Sequence, residues 1–214
     1  MRKLVLLFAV MIFAFAVQGQ GLDVSHHQGT INWRKVKASG KVSFVYIKAT
    51  EGASFKDDCY TKNLDSARAA GILAGSYHMY SPRTTAYQQM ANIRKTIKKK
   101  KQDLVPVLDI EEKHSKGLYM TRVDKLLELM EKEYGVKPVI YTSEKVYFTH
   151  FSGKKYRPYH FFIANYRRKP RCRYTLWQYT EKGTVSGVKG AVDRSKFASN
   201  HSLVDIKMPK KKKS

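Results

Sequence analysis

Residues 104–112 read LVPVLDIEE, an apolar run of strand-forming residues that ends on carboxylates. Alternate residues of a β-strand share a face, with their Cα atoms roughly 6.6 Å apart. Asp109 and Glu111 are therefore expected to point at one spot, at the end of an otherwise buried strand. Burying charge is costly unless the charge is paired or used. The flanks of the run decide the fold class. Upstream, TTAYQQMANIRKTIKKK reads as a helix with Thr84 or Thr85 as its cap; downstream, Thr121–Tyr134 has helical spacing at Val123, Leu126, Leu127 and Met130 and stops at Gly135. A buried strand between two helices is the repeating unit of a parallel sheet.

Working outward, the same alternation extends along the chain. Strand-like runs lie at Gly21–Ser25, Val42–Thr50, Ile72–Tyr80, Leu104–Glu112, Lys137–Glu144, His160–Tyr166, Tyr174–Thr180 and Gly190–Ser195. Helical stretches fit at Trp33–Ser39 and Asp57–Ala70, but no long helix fits between the last three strands. Eight strands that begin as parallel βα units point to an α/β barrel, although a mature chain of about 195 residues is short for the usual ~250. Missing late helices account for the shortfall. An open doubly wound sheet is the alternative on pattern alone. There is no internal repeat, phosphate-binding glycine loop or dinucleotide fingerprint.

The ends of the chain read differently. Residues 1–19 have a basic start (Arg2, Lys3), an apolar run from Leu4 to Val17 and small residues before a cut between Gly19 and Gln20. The apolar run is shorter than the roughly 20 residues of a membrane span and fits a secretory signal peptide. A secreted or periplasmic protein is expected, with a domain over residues 20–200 and a basic tail over 201–214. Export permits a disulfide between Cys59 and Cys172, and free thiols remain open; neither cysteine sits in a nucleophile motif. The net charge of +24, with lysines clustered at 98–101 and in the tail, predicts attraction to polyanions. In an exported protein these are anionic cell-envelope polymers rather than a specific nucleic acid. No cofactor or metal is expected: His26 and His27, adjacent on a strand, would face opposite ways, and His78 reads as a packed histidine.

In parallel α/β folds functional groups collect at the C-terminal ends of the strands. Here those ends carry Asp23, Lys48, Glu51, Tyr77, Asp109, Glu111, Tyr141, Tyr166, Gln178 and Asp193. Paired carboxylates serve glycoside hydrolysis, one protonated to donate to the leaving oxygen and one ionised. Crowding helps to hold one of them protonated. Flat faces such as Tyr77, Tyr141 and Trp177 suit sugar rings. Carboxylates also hold divalent cations, so metal-dependent phosphoester hydrolysis competes, and D-x-E alone is a weak motif.

The segments GLDVSHHQGTINWRKVKASGKVSFVYIKATEG, ILAGSYHMYS, LVPVLDIEE, PVIYTS, FFIANY, LWQYT and GAVDRSKF resemble glycoside hydrolase family 25 in order and spacing. The resemblance runs from Gly21 to Phe197 and implies an irregular barrel of eight strands and about five helices. It implies a lysozyme, an N-acetylmuramidase that cuts the β-1,4 bond between N-acetylmuramic acid and N-acetylglucosamine in peptidoglycan. By this resemblance Glu111 is the proton donor, Asp109 the stabiliser or orienter of the N-acetyl group, and Asp23 and Asp193 further active-site carboxylates. Tyr77 and Tyr141 line the sugar site; Lys48, Glu51, Tyr166, Trp177 and Gln178 fall in motifs near it. The chain departs from the family at Phe162, where a tryptophan is usual, and at Ser195, where an asparagine-containing ending is more usual. A monomer acting on glycan strands is expected, and a non-catalytic peptidoglycan-binding protein on the same scaffold stays open.

Overall fold

The computed structural model describes residues 19–111 and 117–209. The apolar leader, Glu112 and the last lysines of the tail lie outside the described residues. In chain order the elements are β1 (Gln20–Val24), α1 (Trp33–Ala38), β2 (Val42–Glu51), β3 (Phe55–Lys56), α2 (Tyr60–Ala69), β4 (Leu73–Met79), α3 (Ala86–Thr96), β5 (Val107–Asp109), α4 (Leu118–Tyr134), β6 (Val139–Ser143), the single turn α5 (Glu144–Val146), β7 (Phe161–Ala164), β8 (Leu176–Gly183) and β9 (Val192–Phe197). Eight strands close a barrel in the order β1-β9-β8-β7-β6-β5-β4-β2, with β1 pairing back onto β2. β3 is a two-residue flap that pairs only with the end of β2. Among the described residues no helix is long and apolar enough to cross a membrane.

The barrel is α/β, as the spacing implied, and irregular, as the family resemblance implied. Two expectations are corrected. The last strand is not parallel: β9 runs antiparallel to both β8 and β1. A reversed strand can follow its neighbour through a short turn, whereas a parallel one needs a long crossover, and this removes the need for a late helix. Second, α2 starts at Tyr60 rather than Asp57. The Asp57 side chain is buried and committed elsewhere, accepting from the His26 backbone N–H at 2.9 Å, His26 Nδ1 at 2.7 Å and the Cys59 N–H at 3.0 Å. It ties the β1 loop to the start of the helix. Both cysteines are free thiols, so the disulfide left open by the sequence is not formed.

The helices form where side-chain spacing and caps agree. Thr85 and Gln88 make a reciprocal capping box at the start of α3. α4 buries Val123, Leu126, Leu127, Met130 and Tyr134 and ends at Gly135, whose φ of 70° is left-handed. These apolar stripes cover one face of each strand, where Val45, Ile47, Leu108, Ile140 and Ile163 point outward into a single core with the helices. The opposite faces point into the barrel, where Phe44, Tyr46, Val107, Val139, Phe162 and Leu176 pack a second core.

Two glycines make room for that inner layer. A Cβ on Gly21 would stand 2.3 Å from the Phe44 ring, and one on Gly75 would stand 2.6 Å from Tyr46 Cε1 and 2.8 Å from Leu104 Cβ. The Tyr46 ring is wholly buried and its hydroxyl donates to the Val105 carbonyl at 3.1 Å, so it has no free direction in which to yield. Gly75→Val is expected to destabilise the protein by about 1–3 kcal/mol or more. Thermal unfolding should show a Tm lower by several degrees; an unchanged Tm would mean that the inner layer yields to the added side chain.

Below this layer the chain returns to plug the barrel floor. Ile206 is fully buried against Leu104 and Val105, and the Met208 N–H donates to the Asp103 carbonyl at 3.0 Å. The tail expected to start at 201 is thus packed at least to Met208, with Ile206 covering the apolar floor of the barrel.

Candidate active site

The backbone at LVPVLDIEE keeps strand geometry beyond the formal end of β5. The Tyr80 N–H donates to the Asp109 carbonyl, and the Ile110 N–H to the Tyr141 carbonyl, each at 2.9 Å. The Thr142 hydroxyl donates to the Ile110 carbonyl at 2.6 Å. Alternation therefore persists: Ile110 faces the outer core, and Asp109 and Glu111 face the barrel mouth. A cleft of about 360 Å³ opens there, with Asp23, Tyr77, Asp109, Glu111, Tyr141, Gln178 and Asp193 around it and Tyr46, Val107 and Phe162 as its floor.

Four carboxylates thus converge from three strands. Asp23 and Asp193 face each other as register partners between β1 and β9. Asp193 lies near the N-terminal end of its strand, not the C-terminal end; it reaches the common rim because β9 is reversed. Burial and the neighbouring Asp193 raise the Asp23 pKa well above the ordinary carboxylate range, opposed by a hydrogen bond with Gln178. Burial and Glu111 raise Asp109 well above that range, with Lys48 acting against them. Asp193 is pushed up to about 6 by burial, Glu181 and Glu111. Glu111 is raised by partial desolvation, opposed by Lys48 and reinforced by Glu51. Asp109 Oδ1 and Asp23 Oδ2 are buried with no hydrogen-bond partner among the described residues.

Glu111 is exposed, whereas Asp23 and Asp109 are buried. It also borders an adjoining groove lined by Ser143, Lys145, Asn165, Tyr166 and Arg167. Gln178 organises the far wall, because its Oε1 accepts from the Tyr141 hydroxyl at 2.8 Å and the Tyr166 hydroxyl at 2.7 Å. Phe162, at the position where tryptophan was expected, is buried in the floor and meets Tyr141 edge to face at 5.2 Å. Ser195 is buried with its hydroxyl unpartnered among the described residues.

Not every expected residue lines the cleft. Lys48 and Glu51 pair with each other at 2.7 Å beside it, and Lys48 acts on the carboxylates through its charge. Trp177 is corrected. It lies on the outside of the barrel, its indole N–H donating to the Asn165 carbonyl at 2.8 Å and its ring covered by Lys196 Nζ at 4.6 Å. Gln178 turns inward, so its neighbour in the strand must turn outward. Glu181, which helps to raise the Asp193 pKa, escaped the sequence reading. Asn165 donates to Glu144 and accepts from the N–H groups of Arg167 and Arg168, shaping the loop that carries Tyr166. His26 and His27 sit on a short helical turn instead of a strand, and His78 is fully buried between Thr50 and Gln89.

The model of glycosyl hydrolases family 25 matches residues 22–188, from β1 to the turn before β9. The chain belongs to that family. This family 25 glycosyl hydrolase is 35% identical over 199 residues to Lysozyme M1 of Streptomyces globisporus, covering 83% of this chain and 67% of the relative. It superposes on a bacterial lysozyme from Streptomyces coelicolor with a TM-score of 0.76 at 33% identity, over 89% of this chain and 96% of the other. A family 25 glycosyl hydrolase from Bacillus anthracis gives a TM-score of 0.77 at 30% identity, covering 85% and 89% of the two chains.

A cleft built from carboxylates with raised pKa values makes the enzyme's stability depend on pH. Asp193 titrates near 4 in the unfolded chain and at about 6 in the folded one, so the folded state binds more protons between those values. Its contribution to stability is most favourable at the acid end and falls as pH rises through 6. Asp193→Asn is expected to raise Tm at pH 7–8 and to change it little near pH 4. Tm measured from pH 4 to 8 for both proteins checks this; parallel curves would refute it.

Proposed function

We propose that this enzyme is a secreted N-acetylmuramidase that hydrolyses the β-1,4 bond between N-acetylmuramic acid and N-acetylglucosamine in peptidoglycan. The observation that carries the reading is the pairing of Glu111 with Asp109. One is exposed at the cleft edge, the other buried behind it, and Glu111 is biased towards the protonated form that a proton donor needs.

In this reading Glu111 donates its proton to the leaving glycosidic oxygen as the C–O bond breaks. Positive charge develops at the anomeric carbon. The substrate's acetamido oxygen, oriented by Asp109, or Asp109 itself then bonds to that carbon. Water displaces the bond so formed and returns a proton to Glu111. Asp23 and Asp193 line the opposite wall, where Asp193 contributes negative charge above about pH 6, while Tyr77, Tyr141 and Tyr166 contact the sugar. The domain spans residues 20–200 with the packed segment that follows, the leader directs export, and the surplus positive charge holds the monomeric enzyme near anionic envelope polymers.

The test is incubation of the protein with purified peptidoglycan beside Glu111→Gln, recording reducing ends and product masses. Fragments ending in muramic acid from the wild type alone support the reading. Binding without release by both proteins would mark a carbohydrate-binding protein on the same scaffold. Intact-protein mass after rapid quenching separates the two routes, since only attack by Asp109 leaves a glycan on the chain.

A further inference from the structure

On the barrel floor, remote from the cleft, His160 meets two side chains of the chain's closing turn, His201 and Asp205, which lie four residues apart. His160 precedes β7, His201 follows β9, and Asp205 lies in the short helical turn Leu203–Ile206 that plugs the floor. One ligating atom from each lies within 4.8 Å of the other two. We propose that His160, His201 and Asp205 form a binding site for a divalent transition-metal ion, Zn²⁺ in the first instance, which clamps the floor segment to the barrel.

The details beyond proximity favour a cation over simple pairing. His160 Nδ1 lies 2.8 Å from the Thr175 hydroxyl. An Nδ1–H donated there leaves Nε2 as a bare acceptor, which is how the ring nitrogen opposite a metal is normally fixed. Asp205 is anchored in the same manner: Oδ2 accepts from the Ser202 N–H at 2.7 Å, which leaves Oδ1 available. His201 Nδ1 is buried 3.5 Å from Asp205 Oδ1, within ion-pair range but too long for a good hydrogen bond. A separation near 3.4 Å is what two ligands about 2.1 Å from a tetrahedral ion require. The two imidazole rings meet edge to face, at 87° with centroids 5.9 Å apart.

The donor set fits this class of ion. Two neutral imidazoles and one carboxylate suit zinc, whereas calcium and magnesium prefer oxygen ligands alone. With three protein ligands, water would complete the tetrahedron. Because the site lies at the end of the barrel opposite the carboxylates, it is structural, and the proposal does not depend on the muramidase reading.

The experiment uses the full chain, stripped with a chelator and then titrated with Zn²⁺ alone. One equivalent should bind, with Tm rising by roughly 5–10 °C once the free ion is about 100-fold above its Kd. Co²⁺ in its place should give the intense visible absorption of a tetrahedral site. His201→Ala and Asp205→Ala should each remove the Tm rise and the Co²⁺ spectrum. Should one variant fail to fold, the other and the wild-type spectrum still decide. No metal-dependent Tm shift in the wild type, or a shift retained by both variants, overturns the proposal. A shift lost only on mutation of His26 or His27 also overturns it, by placing the ion elsewhere.

Discussion

Glu111→Gln is expected to lower the rate of glycan cleavage by roughly 10²–10⁴-fold, the usual scale for removing a positioned proton donor. Glutamine keeps the size of the side chain but has no proton to give. The structural cost is small because Glu111 is exposed and anchors no part of the barrel; Tm should therefore stay within about a degree. The split between a large kinetic effect and an unchanged Tm is the decisive feature. Near-normal turnover by this variant would pass the donor role to another carboxyl with a raised pKa, for which Asp193 is the candidate.

Asp109→Asn should reduce activity by about 10²–10³-fold, on the scale of losing a group placed to stabilise developing charge, while making the protein more stable. The carboxylate is 6% exposed, has one oxygen without a partner and shares its surroundings with Glu111, Asp23 and Glu51. Ionising it inside the folded protein opposes both desolvation and repulsion. A neutral amide removes that penalty, so Tm should rise by a few degrees at pH 7. Its pKa is raised on folding, hence the penalty applies above the unfolded value and vanishes at lower pH, where the native carboxyl carries its proton. The gain in Tm should shrink towards pH 4. Lower activity with lower stability would mean that Asp109 is mainly a structural group; full activity would remove it from the mechanism.

Much of this arrangement was legible in the sequence, for a simple reason. Strand alternation is local, so Asp109 and Glu111 could be assigned to one face from their spacing, and Tyr77, Tyr141 and Gln178 from theirs. The reading failed where partners, rather than periodicity, decide. The direction of β9 is set by its neighbours, and Asp193 reached the cleft from the opposite end of its strand. Trp177 looked like a sugar platform by residue type, yet parity with Gln178 sends it outside. Asp57 looked like the start of a helix until its bonds to His26 and Cys59 appeared. Ile206 looked like tail because nothing local marks a plug for a barrel floor. In the His160, His201 and Asp205 cluster the local turn pairs His201 with Asp205, but only closure of the barrel brings His160 to them.

The reversal of β9 also decides where a second protein can be attached. β1 enters the barrel from the floor, and β9, running the other way, leaves at the floor as well. A partner fused before Gln20 or after Met208 would hang beneath the barrel, with the full depth of the sheet between it and the carboxylates. Such a fusion can anchor the enzyme to a bead, a phage tail or a cell surface while the cleft faces outward, free to meet an insoluble polymer head-on.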